Sequence, residues 1–141
     1  ASLIIATGAA AMGLEVTMFF TFWGTPLLRA KNKKAGPKDF MSRMFGFMMP
    51  KGASKAKLSQ MHMAGMGTAM LKGVMKKKNV STLPELIDLA GELGVNIMIC
   101  ELSMDIMGFT REEMIDYPEL SYGGVASFVA KAAKSKIQLF L

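Results

Sequence analysis

The sequence predicts an α/β fold, a layered sandwich with a mainly parallel sheet flanked by helices. Two observations predict it. Short apolar runs, at 15–23, 95–102 and 137–141, read as strands, the first, rich in aromatic and β-branched residues, covered on both faces. Between them lie segments with apolar residues at helical spacing, opened by capping boxes and stopped by glycine or proline. Strands alternating with helices imply right-handed βαβ units in one layered domain spanning 1–141.

The elements follow in order. The alanine-rich start reads as a helix ending on Gly13. It lacks the charged start of a signal peptide and is shorter than the ~20 apolar residues that span a bilayer. The run 15–23 (EVTMFFTFW) is the first strand, broken by Gly24. Thr25-Pro26 supplies an N-cap and a first-turn proline for a short helix to about residue 30. Residues 31–60 form a long Lys/Met-rich connector, and a connection of that length is usually functional or poorly ordered. Residues 65–78 read as a helix with Met66, Met70 and Val74 on one stripe. Thr82-x-x-Glu85 with Pro84 opens the next helix, and Gly94 closes it. After the strand at 95–102, Thr110-x-x-Glu113 opens a helix to about Tyr117, stopped by Pro118. Gly123-Gly124 opens the last helix, to about residue 134, with Val125, Phe128, Val129 and Ala132 on its apolar stripe. The strand at 137–141 (IQLFL) closes the chain.

Composition narrows the function. The chain has 141 residues, is 51% hydrophobic and 20% charged, and so is not intrinsically disordered. One cysteine excludes an internal disulfide and fits a reducing cytoplasm. The net charge of +6 is segregated: residues 29–78 carry thirteen Lys/Arg against Asp39, and residues 79–120 carry nine Asp/Glu against Arg111. That polarity suits small anions, an acidic partner or contact between subunits. Nine of the 15 methionines fall between Met41 and Met75. No phosphate-binding P-loop, complete dinucleotide fingerprint or nucleophile elbow is present. One His and one Cys cannot build a structural zinc site, and the single His argues against a hydrolytic triad. No metal and no cofactor are expected.

Cys100 is what remains. It stands near the carboxyl end of an apolar strand, where open α/β sheets bind ligands. Helix starts near 104–110 and at Gly123-Gly124 would gather at that edge, and their N–H groups lower a thiol pKa and hold an anion. The competing reading is a buried, inert cysteine.

Several blocks carry a resemblance: Ser81-Thr-Leu-Pro-Glu85, the run from Gly94 to Cys100, Met104-Asp-Ile-Met-Gly108, Thr110-Arg-Glu-Glu113 and Gly123-Gly-Val-Ala-Ser127. With Phe19 to Gly24 and the Met-rich middle, they resemble the DsrE/DsrF-like family, in its DsrE-related or peroxiredoxin-like branch. The resemblance implies an α/β sandwich, a homo-oligomer and cytoplasmic sulfur relay. It implies exchange of sulfur with small acidic sulfur-carrier proteins, rhodanese-like donors or small anionic sulfur species. It makes Cys100 the nucleophile that holds a persulfide or thiosulfonate, as a stoichiometric carrier or as a sulfurtransferase component. Two departures stand out: the family's opening strand does not precede the first helix, and no second cysteine lies near Cys100.

The other candidates take smaller parts. Gly123, Gly124, Ser103 and Met104 are expected to line the anion site, and Asp105 to cap the following helix. Phe45, Phe47, Met48 and Met49 lie in a sticky segment, 40–50, expected to be a subunit interface or a lid. His62 between Met61 and Met63 has the donors of a soft-metal site but reads better as an ordinary loop residue. Lys76-Lys77-Lys78 reads as a solvated helix end, so nucleic acid is not an expected partner, nor is a membrane. Two other functions stay open. One is an assembly or ligand-binding module with a structural cysteine. The other is a membrane or redox-complex partner that uses segment 40–50.

Overall fold

The computed structural model describes residues 1–33, 44, 48–49, 51–53, 73–74, 77–78 and 80–141. Helix α1 (Ser2–Ala11) buries Leu3, Ala6 and Thr7 and ends with Gly13 at φ +79°, as the sequence predicts. Strand β1 (Thr17–Phe20) is shorter than its apolar run. The chain leaves it in a 3-10 helix, Phe22–Leu28, which takes both the end of the expected strand and the expected α-helix. Pro26 lies inside this turn, and the Gly24 N–H donates to Thr21 O at 2.9 Å.

Helix α2 (Leu83–Glu92) starts where its capping box predicts: the Thr82 N–H donates to the Glu85 carboxylate at 2.6 Å. Gly94, at φ +70°, turns the chain into β2 (Asn96–Cys100). Helix α3 (Glu101–Met107) follows with no intervening loop. The expected helix from Thr110 reduces to one 3-10 turn, Arg111–Glu113. Beyond it the backbone is drawn into pairing with an earlier segment: the Ala30 N–H donates to Glu113 O at 2.7 Å and the Ile115 N–H to Leu28 O at 2.9 Å. Strand β3 (Leu120–Gly123) and helix α4 (Val125–Ala132) complete the described elements.

The described sheet is parallel, in the order β1-β2-β3. Its third strand is 120–123 and not 137–141, which forms no strand. In the tail Phe140 meets Phe128 of α4 edge-on at 5.9 Å, while Ile137, Leu139 and Leu141 stay exposed. The helix expected at 65–78 lies outside the described residues except for Gly73, Val74, Lys77 and Lys78.

Successive strand residues point to opposite faces. Ile97 and Ile99 join Leu3, Ala6, Ile87 and Ala90 in one core beneath α1 and α2. The same core holds Leu28, Met104, Phe109 and Met114. Beside it the Arg29 guanidinium donates to the Glu113 carboxylate at 2.8 Å and lies 4.5 Å from the Phe109 ring centre, with both charged side chains buried. Gly52 closes the connector onto this region: at φ +88°, a Cβ there would stand 2.8 Å from Arg29 O. The opposite face carries Met98 and Cys100, with Phe19 stacked on Phe128 of α4 at 5.1 Å.

Candidate functional site

Strand β2 is apolar after its first residue and ends at Cys100, which is also the N-cap of α3. A strand that becomes a helix within one residue points the first N–H groups of the helix back at the residue it has just left. Cys100 is therefore wrapped by its own successors. The thiol is 3% exposed, and that burial pushes its pKa up. The polar groups gathered around it, the Ser103 hydroxyl and N–H, the Thr21 hydroxyl and the Leu102 N–H, outweigh the burial and hold it below the ordinary thiol value. Ser103 is itself fully buried, and its hydroxyl lies 2.7 Å from that of Thr21.

Three parallel strand ends meet at this edge. Thr21 follows the last residue of β1, Cys100 ends β2, and Gly123, its partner in register, ends β3. A Cβ at position 123 would stand 3.0 Å from the Met98 sulfur and 3.1 Å from Ser127 Cβ, so a side chain here would have to push these neighbours aside by a few tenths of an ångström. Gly124, the N-cap of α4, has nothing within 4 Å of its missing Cβ, so no close approach requires it.

The expected site residues thus separate. Ser103 and Gly123 stand with the thiol. Met104 is buried in the core with Ile97 and Ile99. Asp105 caps no helix: it lies within α3, whose N-cap is Cys100, because the helix begins three residues earlier than its apolar pattern suggests. Met48 and Met49 divide, the first 72% exposed and the second packed into the core. Phe45, Phe47 and His62 lie outside the described residues. Thr21 was not among the expected residues, although strand alternation from Phe19 places it on the face of Cys100.

Charge near the thiol is balanced. Glu101, next in the chain, pairs with Arg111, whose guanidinium lies 4.6 Å from the Tyr122 ring centre. Among the described residues no group of three or more His, Cys, Asp or Glu could hold a metal. Among those residues, too, no helix is long and apolar enough to cross a membrane. The arrangement places one buried sulfur at the carboxyl end of the sheet, among hydroxyl and N–H groups.

Comparison with known proteins identifies the family. The model of the DsrE/DsrF/DrsH-like family matches residues 1–140. The chain is 48% identical over 141 residues to a Bacillus subtilis (strain 168) protein named Uncharacterized protein YrkE, covering all of this chain and 87% of that one. It is 38% identical over 143 residues to a protein of Allochromatium vinosum named Sulfur carrier protein DsrE2, covering 98% of this chain and 86% of that one.

Proposed function

The chain belongs to the DsrE/DsrF/DrsH-like family, and from that premise we propose that it works in sulfur relay, with Cys100 as the atom that carries the cargo. The similarity to a protein named as a sulfur carrier supports the role. The observation that carries the assignment to Cys100 is its place, the last residue of β2 and the N-cap of α3, at the strand-end edge it shares with Thr21, Ser103 and Gly123.

The chemistry needs no second cysteine in this chain. The Cys100 thiolate attacks a sulfane sulfur of a polysulfide. One S–S bond forms, one breaks, and the shortened polysulfide leaves with the electron pair. Attack on tetrathionate leaves a thiosulfonate on the cysteine and releases thiosulfate. In either case the donors that held the thiolate lie where they can hold the new anion. An acceptor thiolate then takes the outer sulfur and returns Cys100 to its starting state. Lysines of the basic segment, with Lys31 and Lys33 among the described ones, would draw anionic donors or an acidic carrier protein by long-range attraction. Assembly into a homo-oligomer and a rhodanese-like donor belong to the same proposal.

The slight exposure of Cys100 favours a second reading, a structural cysteine in a binding module. Intact-protein mass measurement after treatment with thiosulfate, tetrathionate or polysulfide separates the two. The sulfur-relay reading expects a reducible sulfur adduct on the wild type and none on Cys100→Ser. No adduct from any donor would leave the structural reading in place.

A further inference from the structure

A carrier thiol must be reached, yet Cys100 is almost covered. One side of the cover has an unusual build. Thr21 is extended, at φ −133° and ψ 158°; the parallel register sets it beside Cys100, and its hydroxyl lies 2.7 Å from that of Ser103. Phe22, next in the chain, stands at φ +38°, the one described non-glycine residue with a positive φ. A bulky side chain rarely adopts that conformation, and it persists only where its surroundings enforce it. Beyond it Phe22 and Trp23 are exposed, Trp23 at 76%. Beside this unfavourable turn the Thr21–Ser103 hydrogen bond crosses from the residue after β1 to α3.

We propose that residues 21–23 form a spring-loaded gate over Cys100: the Thr21–Ser103 bond holds it shut, and relaxation of Phe22 swings Thr21 away and admits a sulfur donor. The inference rests on the sulfur-relay reading for its purpose, but not for its test. Closed, the gate keeps the thiol from casual oxidants; open, it lets a donor approach along the sheet edge. Thr21 is then a positioning residue and Phe22 sets the ratio of closed to open forms.

Alkylation of Cys100 in the intact protein reads the gate directly. Rates are taken on the high-pH plateau, where the thiol is fully ionised and pKa changes drop out. Phe22→Asn places a residue tolerant of positive φ at the turn, favours the closed form, and should slow alkylation about fivefold. Phe22→Val makes the turn worse and should speed it by a similar factor. Both variants lose the phenyl ring, so opposite shifts isolate the backbone. Thr21→Val removes the Thr21–Ser103 bond and should speed alkylation, while Thr21→Ser should restore the wild-type rate. Circular dichroism confirms that each variant is folded. Phe22→Asn and Phe22→Val shifting the rate the same way, or Thr21→Val leaving it unchanged, would overturn the gate. Neither result touches the mass measurement of sulfur uptake, so gate and relay fail separately.

Discussion

Beneath α1 and α2, Ile97 and Ile99 are wholly buried, and Leu28, Met114 and the Arg29–Glu113 pair deepen the same layer. Across the sheet, α4 has no buried residue, and Val125 and Val129 stand more than half exposed. The two faces of one strand therefore do different work. Ile97 and Ile99 anchor the sheet, while Met98 and Cys100, one residue out of phase, face the thin side. Away from the strand itself, the larger share of the burial lies on the face that the thiol does not use.

That contrast is sharpest at Glu113. Replacing it with Ala leaves the buried Arg29 guanidinium without this carboxylate and should cost about 4 kcal/mol in urea unfolding. Ile99→Ala empties part of the same layer and should cost about 3 kcal/mol, whereas Val129→Ala on α4 should cost under about 0.5 kcal/mol. Equal losses at these two positions would erase the distinction between the faces. Gly123→Ala tests where the thin face is tight. Its new methyl presses on Met98 and Ser127, and a loss of about 1–2 kcal/mol is expected, with altered Cys100 alkylation.

One further effect appears only in alkali. Burial first, and then the charge of Glu119, hold the Tyr117 phenol up to about 12 against an ordinary value of 10. A raised folded value favours the neutral phenol, so its stabilisation is complete below pH 10 and fades as pH climbs towards 12. Tyr117→Phe, which also loses the bond to Val95 O, should show a flatter Tm profile over that window than the wild type.

Local signals translated faithfully from sequence into structure. The Thr82–Glu85 box, Gly13 and Gly94 depend on neighbours within a few residues, and each stands where its pattern places it. The deep strand at 96–100 was legible because a run buried on both faces is apolar throughout. Misreadings arose where distant partners decide. The tail 137–141 has the better strand composition, but 120–123 holds the register beside β2. The turn after Thr110 was cut short by pairing with residues 28–30. At the site, the edge position of Cys100 could be read from its strand alone. Its contact with Thr21 spans most of the chain, and no pattern within either segment announces it.

The parallel register also orders events in time. Paired residues of β2 and β3 lie roughly 20 positions apart and those of β1 and β2 roughly 80, so the second closure costs about 1 kcal/mol more in chain entropy. The cheaper pairing forms sooner, and it already contains the cysteine. Refolding is therefore expected to bring Cys100 beside Gly123 before Thr21 reaches it. Peroxide or stray disulfides present in that interval should then trap the sulfur, and the yield of molecules with a free Cys100 thiol should depend on the reductant present before β1 docks.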